Sequence, residues 1–167
     1  MFALPAAAQR TAVDERDVKA VFLFNFVQFV DWPSTAFSSP DAPLVIGVLG
    51  DDPFGPLLDQ VVEGEVLKGR ALSVVRFRRV EDIKVCHVLF VSASEAVRYE
   101  HILTVLRAQP TLTVGDTASF TAHGMIRFLT DQNRVRFEVN MDAVRAAGLI
   151  ISSNLLRSAR IIGAPKG

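Results

Sequence analysis

Apolar and polar residues follow one another along this chain in a pattern that predicts strands alternating with helices. Segments of strand length and composition occur at Leu44–Gly50, Ala71–Phe77, Val85–Val91 and Thr111–Gly115. The first and third are nearly continuous apolar runs, which are typical of strands covered on both faces. Helical spacing of apolar residues separates these strands, most clearly after Ser94. This order predicts a parallel sheet with right-handed crossover connections.

The pattern changes to a hairpin near the end of the chain. Met125–Leu129 reads as a strand, and Asp131–Asn133 reads as a tight turn. In the returning strand, Val135, Phe137 and Val139 alternate with charged or amide residues, so one face is apolar and the other polar. Two strands this close in sequence form an antiparallel pair. We expect this hairpin to occupy the edge of the sheet, where it is available to partners.

Two helices are predicted after the hairpin. Asn140 or Asp142 can cap the first, and Gly148 can end it. A second start signal is supplied by Ser152, Ser153 and Asn154, after which an apolar helical stripe continues through Leu155, Leu156, Ala159 and Ile162. The predicted fold is therefore α/β, a mostly parallel Rossmann-like sheet of about six strands ending in an antiparallel edge hairpin, with helices on both faces. Residues 11–167 form its single domain.

The first helix is predicted from Asp14 to Trp32, with Pro33 stopping it. Its apolar run is about half of the roughly 20 residues that a membrane span needs, and Asn25 and Gln28 interrupt it. We therefore expect no direct insertion into a membrane. A helix that is apolar around most of its girth needs cover on more than one side. Deep burial within one domain and contact with a second subunit both satisfy this need.

Composition limits the classes of function. The chain has 167 residues, enough for one domain with a real core. Apolar residues make up 50% and charged residues 22%, which argues against disorder. There are 18 basic and 18 acidic residues, so the formal net charge is zero. No overall field therefore favours nucleic acid or anionic lipid.

Residues 1–10 differ from the rest of the chain. Ala6–Ala8 before Gln9 resembles the small-residue cleavage site of a secretory signal peptide, although the basic region and a full apolar core are missing. We interpret residues 1–10 as a signal-peptide remnant or an Ala-rich disordered tail.

The turn after the first strand lies where open α/β sheets usually bind ligands. Its sequence, GDDPFG, lacks the dinucleotide fingerprint, and Pro56 and Leu57 stand where a P-loop has Lys and Ser or Thr. Asp51 and Asp52 resemble a magnesium-binding pair by position, but Ser92 stands where receiver-type chemistry needs an acceptor Asp. The simpler interpretation is that one aspartate caps the next helix.

The sequence offers little catalytic chemistry. The spacing of His87, His101 and His123 matches no zinc motif. Cys86 adjoins His87, but neighbours on a strand point to opposite faces and do not pair directly. We interpret Cys86 as a buried apolar-like residue. We therefore predict a protein that is not an enzyme and that uses no metal and no cofactor.

Four motifs in order resemble the YfiR-like family. They are KAVFLFNFVQFVDWP, VIGVLGDDPFG, CHVLFVS and the closing FEVN…AGL…SSNLLRSARII, and they span Val18 to Ile162. The resemblance implies a periplasmic, typically dimeric regulator. Such a regulator binds the periplasmic sensor domain of an inner-membrane diguanylate cyclase and holds it inactive, which lowers cyclic di-GMP and affects biofilm formation.

The resemblance also implies a partner-facing patch. It corresponds to Glu138 and Val144, with Ile126 as a weaker match, and we expect Arg136 and Arg157 to surround it. The alternative is that Val144 and Ile126 simply belong to the core.

Some family members hold small aromatic ligands near the start of the SSNLL helix. The residues here are Ser152, Ser153 and Asn154, but a basic residue expected two positions earlier is Ile150. A small-molecule-binding sensor is therefore the alternative function. It would use this region or the crevice at Gly50–Phe54.

Cysteine content departs from the family. The chain has one cysteine, Cys86, which can form no intrachain disulfide. The family's cysteine in the first strand corresponds to Gly47, and a second pair near the hairpin is also missing. The chain therefore lacks the covalent links that the resemblance leads us to expect. Redox control of the kind implied by those links does not carry over to this chain.

Overall fold

The computed structural model describes the backbone of residues 6–162 and the side chains of residues 15–162. Five α-helices lie in this part of the chain: α1 (Ala6–Phe29), α2 (Pro56–Val62), α3 (Tyr99–Leu106), α4 (Met141–Ala146) and α5 (Ser153–Leu156). The strands there are β1 (Val30–Asp31), β2 (Leu44–Leu49), β3 (Val66–Leu67), β4 (Arg70–Phe77), β5 (Val88–Val91), β6 (Leu112–Gly115), β7 (Ile126–Asp131), β8 (Arg134–Asn140), β9 (Ile150–Ile151) and β10 (Ala159–Ile162).

Eight of these strands form one mostly parallel sheet. Their order is β10-β8-β7-β6-β5-β2-β4-β3, and only the β7–β8 and β3–β4 pairs are antiparallel. Every residue of the central strand β2 is buried, as its continuous apolar run predicted. The α/β fold with a mostly parallel sheet is confirmed. The sheet has two more strands than the six we expected.

The hairpin is not at the edge of the sheet, and this expectation was wrong. The predicted second helix stops after Leu156, and the chain then extends into β10, which pairs in parallel with β8 from Ala159↔Phe137 to Ile162↔Asn140. Arg157 and Ser158 turn the chain at the end of α5. The β-branched pair of isoleucines at the end of this segment suits a strand better than a helix. Strand β10 is therefore the outer neighbour of the hairpin.

Helices cover both faces of the sheet, as predicted. On one face, α1, α2, α4 and α5 enclose the larger core, in which Phe26 packs against Phe128 and Phe137 at ring-centroid distances of 5.9 and 5.3 Å. On the other face, α3 and its preceding 3₁₀ turn cover a smaller core beneath Ile102 and Leu106. Two separate apolar layers thus hold one sheet between them.

Helix α1 ends at Phe29, three residues before the predicted end. Val30 and Asp31 leave the helix because they pair antiparallel with Ile151 and Ile150 of β9. No helix among the described residues is both long and apolar enough to cross a membrane. Residues 6–10, part of the segment assigned to a signal remnant or tail, are the first turns of α1, and residues 1–5 of that segment lie outside the described residues.

Candidate partner-binding site

Strands β7, β8 and β10 present two different faces. Ile126, Phe128, Phe137 and Val139 belong to the core beneath α1. Their alternating neighbours point to the opposite face. The small core under α3 includes no described residue of these three strands. This second face therefore continues beyond the cover of α3, and it carries most of the predicted partner-binding charges.

Glu138 lies on this second face but is almost completely covered. Its side chain is 6% exposed, and its carboxylate accepts hydrogen bonds from Arg127 Nε at 2.6 Å and from Thr121 Oγ1 at 3.0 Å. Arg127 is its direct cross-strand neighbour, which fixes the geometry of the ion pair. The expected exposure of Glu138 at a rim is wrong, because the turn containing Thr121 covers it. In this position the carboxylate contacts Arg127 and Thr121 and presents almost no surface to solvent.

Val144 and Ile126 do not form an exposed apolar patch. Each is 0% exposed, and both belong to the core beneath α1. The short helix α4 begins where Asn140 Oδ1 accepts a hydrogen bond from the backbone N–H of Ala143 at 3.2 Å, and this cap turns Val144 inward. The core interpretation of these two residues is correct, and their direct contact with a partner is not supported by this geometry.

Arg136 and Arg157, which we expected around the partner-facing patch, are both exposed. They line an open groove of about 290 Å³ beside β8, together with Leu129, Asp131, Phe137, Ser158, Ala159 and Arg160. Arg160 was missed as a site residue because we assigned it to a helix. The signal that could have identified it was the isoleucine pair that follows it, which favours a strand and hence a place beside β8.

The predicted ligand residues at the start of α5 form a helix cap. Ser152 accepts a hydrogen bond from the backbone N–H of Asn154 at 3.2 Å, and the Ser152 N–H donates to the carbonyl of Phe29 at 2.8 Å. Ser153 and Asn154 are exposed in the first turn of the helix. Ser152 therefore caps α5 and joins it to the end of α1, and a ligand-binding role for the three residues stays a prediction.

At Gly50, the Ser94–Glu95 turn packs against the start of the predicted crevice at Gly50–Phe54. A Cβ atom added to Gly50 would lie 2.6 Å from Ser94 Oγ and 2.7 Å from Glu95 Cγ. The Asp51 N–H donates to Ser94 Oγ at 3.0 Å, which ties the two loops together. Asp52 caps the following turn by accepting from the Phe54 N–H at 2.9 Å. Little room is left at the place where a nucleotide or sensor ligand was considered.

Cys86 and His87 face opposite sides of the sheet, as predicted. Cys86 is buried in the small core, and this burial raises the pKa of its thiol to about 12. A thiol with such a pKa carries almost no thiolate at neutral pH and is a poor nucleophile. His87 accepts a hydrogen bond from the Val45 N–H on Nδ1 at 3.0 Å, so Nε2 carries the proton and donates to the carbonyl of Ala36 at 3.0 Å.

His87 should make stability depend on pH. Burial, with Arg70 nearby as a smaller cause, lowers its pKa below the usual 6.5. Below pH 6.5 the unfolded chain takes up a proton more readily than the folded chain. The stabilisation that comes from neutral His87 is therefore complete above pH 6.5 and is lost as the pH falls through the folded pKa. The free energy of unfolding falls by at most about 1.4 kcal/mol per pH unit. Urea unfolding from pH 7.5 to 5 measures this loss.

A matched pair of variants isolates the contribution of His87. His87→Asn should reduce the slope of unfolding free energy against pH, because asparagine accepts the Val45 N–H without titrating. His123→Asn, which replaces an exposed histidine, is the matched control. Equal slopes in wild type and His87→Asn would contradict the assignment.

A match to a family model identifies the family to which this chain belongs. A family model described as YfiR/HmsC-like matches residues 16–160. The chain belongs to the YfiR/HmsC-like family.

Solved structures share the fold of this YfiR/HmsC-like protein at low identity. An ABC domain from Streptococcus pneumoniae in complex with L-Trp is 11% identical, with a TM-score of 0.51 over 71% of this chain and 55% of that chain. A conserved domain protein from Vibrio cholerae is 13% identical, with a TM-score of 0.52 over 70% of this chain and 54% of that chain. The match thus spans about half the length of either structure. The comparison with curated proteins gave no match.

The place of the missing family cysteine is visible in this YfiR/HmsC-like chain. A Cβ atom added to Gly47 would lie 2.8 Å from Cys86 Sγ. Gly47 and Cys86 therefore occupy adjacent positions on the small-core side of the sheet. In this chain the Cys86 sulfur lies against the backbone of Gly47, which has no side chain.

Proposed function

We propose that this chain is a non-enzymatic periplasmic regulator that binds the periplasmic sensor domain of an inner-membrane diguanylate cyclase and represses it. Repression would lower cyclic di-GMP on the other side of the membrane and thereby reduce biofilm formation. The observation that carries the proposal is the family match over residues 16–160.

The chemistry of the surface supports binding rather than catalysis. The only thiol is buried, with its pKa raised to about 12, and both ring nitrogens of His87 are engaged by the backbone. The groove beside β8 instead offers Arg136 and Arg157 in an accessible position. Guanidinium groups form directed, often bidentate hydrogen bonds with carboxylates, which suits recognition of another protein.

Repression follows if the regulator distinguishes between two states of the sensor domain. A binding protein shifts an equilibrium only by its difference in affinity for the two states. The regulator is therefore proposed to bind the inactive conformation more tightly. A signal that weakens the complex would release the cyclase.

A homodimer and a periplasmic location are part of this proposal. Among the described side chains of α1, residues 15–29, most apolar ones are covered by the domain itself, but Val18 and Val21 are exposed on the helix surface. These two side chains offer an apolar contact for a second copy, in line with the sequence pattern of α1.

Co-purification with the periplasmic domains of membrane diguanylate cyclases from the same genome tests the proposal. A stable complex is expected with one of them, and addition of this chain should lower the activity of the full-length cyclase in membranes. Arg157→Glu should weaken the complex about tenfold or more, because it reverses an exposed charge at the groove. Arg78→Glu, which changes an exposed arginine at the end of β4, is the matched control.

Absence of a complex with every such domain would refute the proposal. The alternative, a small-molecule-binding sensor, would then gain weight. Equal weakening by Arg157→Glu and Arg78→Glu would show that net charge, rather than this surface, determines binding.

A further inference from the structure

The groove beside β8 combines the apolar side chain of Leu129 with a group of arginines. We define the arginine groove by Leu129 and Asp131 on β7, Arg136 on β8, Arg157 in the turn before β10, and Arg160 on β10. Leu129 is the direct cross-strand neighbour of Arg136. The groove therefore crosses three adjacent strands, a width of about 10 Å at a strand spacing of about 4.8 Å.

The cations of the arginine groove lack acidic partners among the described side chains. No described carboxylate lies within 4.0 Å of the guanidinium nitrogens of Arg136, Arg157 or Arg160. Asp131 is the single acidic residue in the lining, and the nearby Glu138 is used by Arg127. In a chain with no formal net charge, this is a local excess of positive charge.

Strand register brings these like charges together. Arg160 lies opposite Glu138 in the parallel β10–β8 pair, so it is the diagonal neighbour of Arg136 on the same face. Like charges on adjacent strands repel each other, and an anion bound between them removes this repulsion. The groove is therefore complementary to carboxylates that arrive from another molecule.

We infer that the arginine groove is the docking site for an extended acidic segment of the protein partner. Its carboxylates would contact Arg136, Arg157 and Arg160, and an apolar side chain would lie over Leu129. This inference rests on the proposed function, since it names the chemistry by which the partner is recognised. A protein segment is favoured over a small anion because the groove is open, spans three strands and includes an apolar floor.

A labelled peptide provides a direct test with the whole chain. The probe is a fluorescein-labelled peptide of ten residues in which Glu and Leu alternate, and the control peptide has Lys in place of Glu. Fluorescence anisotropy should show binding of the acidic peptide alone, weakened about tenfold or more between about 50 and 300 mM NaCl. Arg136→Gln and Arg160→Gln should each raise Kd about tenfold, whereas Arg78→Gln should leave Kd unchanged.

Three outcomes would overturn the inference. They are absence of binding of the acidic peptide, equal binding of the two peptides, and equal Kd values for wild type and both groove variants. Displacement of the peptide by inorganic phosphate at low millimolar concentration would also overturn it and indicate a small-anion site.

The same variants separate this inference from the proposed function. If a cyclase sensor domain binds wild type, Arg136→Gln and Arg160→Gln equally, the regulator proposal stands and the docking site is elsewhere. If the acidic peptide binds as expected but no sensor domain does, the groove recognises acidic segments and the proposed partner is wrong.

Discussion

Replacement of Glu138 by Lys is expected to lower the free energy of unfolding by about 3–5 kcal/mol, the usual cost of breaking a buried ion pair. The carboxylate accepts hydrogen bonds from Arg127 and Thr121 in a place that is almost closed to water. Lysine would remove the acceptor from both donors and place an ammonium group beside the Arg127 guanidinium. Two like charges would then share a poorly solvated position.

Urea unfolding at neutral pH measures this effect. Glu63→Lys, which reverses an exposed acidic residue after α2, is the matched control and should change stability by less than about 0.5 kcal/mol. Glu138→Gln, which keeps an acceptor for Thr121, should be less harmful than Glu138→Lys. If Glu138→Lys folds with unchanged stability and only loses its partner, Glu138 belongs to a binding surface after all.

Binding measurements on Glu138→Lys need a stability control, because this change breaks a buried ion pair. A charge reversal at an exposed position reports on the partner, whereas a reversal at Glu138 reports first on the fold. Arg136, Arg157 and Arg160 are better positions for testing recognition, because they are exposed. Our proposed recognition surface is therefore centred on the arginine groove and not on Glu138.

Period-two alternation in the hairpin was sufficient to predict which residues of β8 share a face. It could not show which of the polar residues are covered. Glu138 is covered because the turn at Thr121 is held over it by Phe120, whose ring packs directly on Gly115 and Gly124. A Cβ atom at either glycine would overlap this ring. The cover of Glu138 thus depends on residues that are distant in sequence from the strand.

The end of the chain shows a second limit of local patterns. The apolar spacing after Ser152 fits a helix, and a cap signal is present, yet only one turn of helix forms before β10. Pairing with β8 decides the outcome, and such nonlocal pairing overrides weak local propensity. The central strands were easier to predict because their apolar runs are long and admit one interpretation.

Gly47→Cys is expected to form a disulfide with Cys86 and to restore one covalent link of the family. In a disulfide, the Cβ atom of one cysteine lies about 3 Å from the sulfur of the other. The corresponding separation here, from a Cβ on Gly47 to Cys86 Sγ, is 2.8 Å. The chain-entropy relation predicts that closing a loop of about 40 residues stabilises the oxidised variant by roughly 4 kcal/mol relative to its own reduced form.

Gly47→Cys has two opposing effects on stability, crowding by the new side chain and stabilisation by the crosslink. The new Cβ would also lie 2.8 Å from the ring of Phe77 and 3.0 Å from Leu89, so the reduced variant should be about 1–3 kcal/mol less stable than wild type. Gly47→Ser introduces similar crowding without a thiol, and its stability should not respond to oxidant. The comparison of oxidised with reduced Gly47→Cys therefore isolates the crosslink.

Mass spectrometry under denaturing conditions, with and without reductant, detects the bond. Two free thiols after oxidation of the folded variant would show that β2 and the segment before β5 are not positioned as described. A bond that forms without raising stability would mean that native-state strain cancels the entropic gain. A stable crosslink would show that the family's disulfide geometry persists in a chain that lacks one of the two cysteines, because packing of the small core alone holds these strands in place.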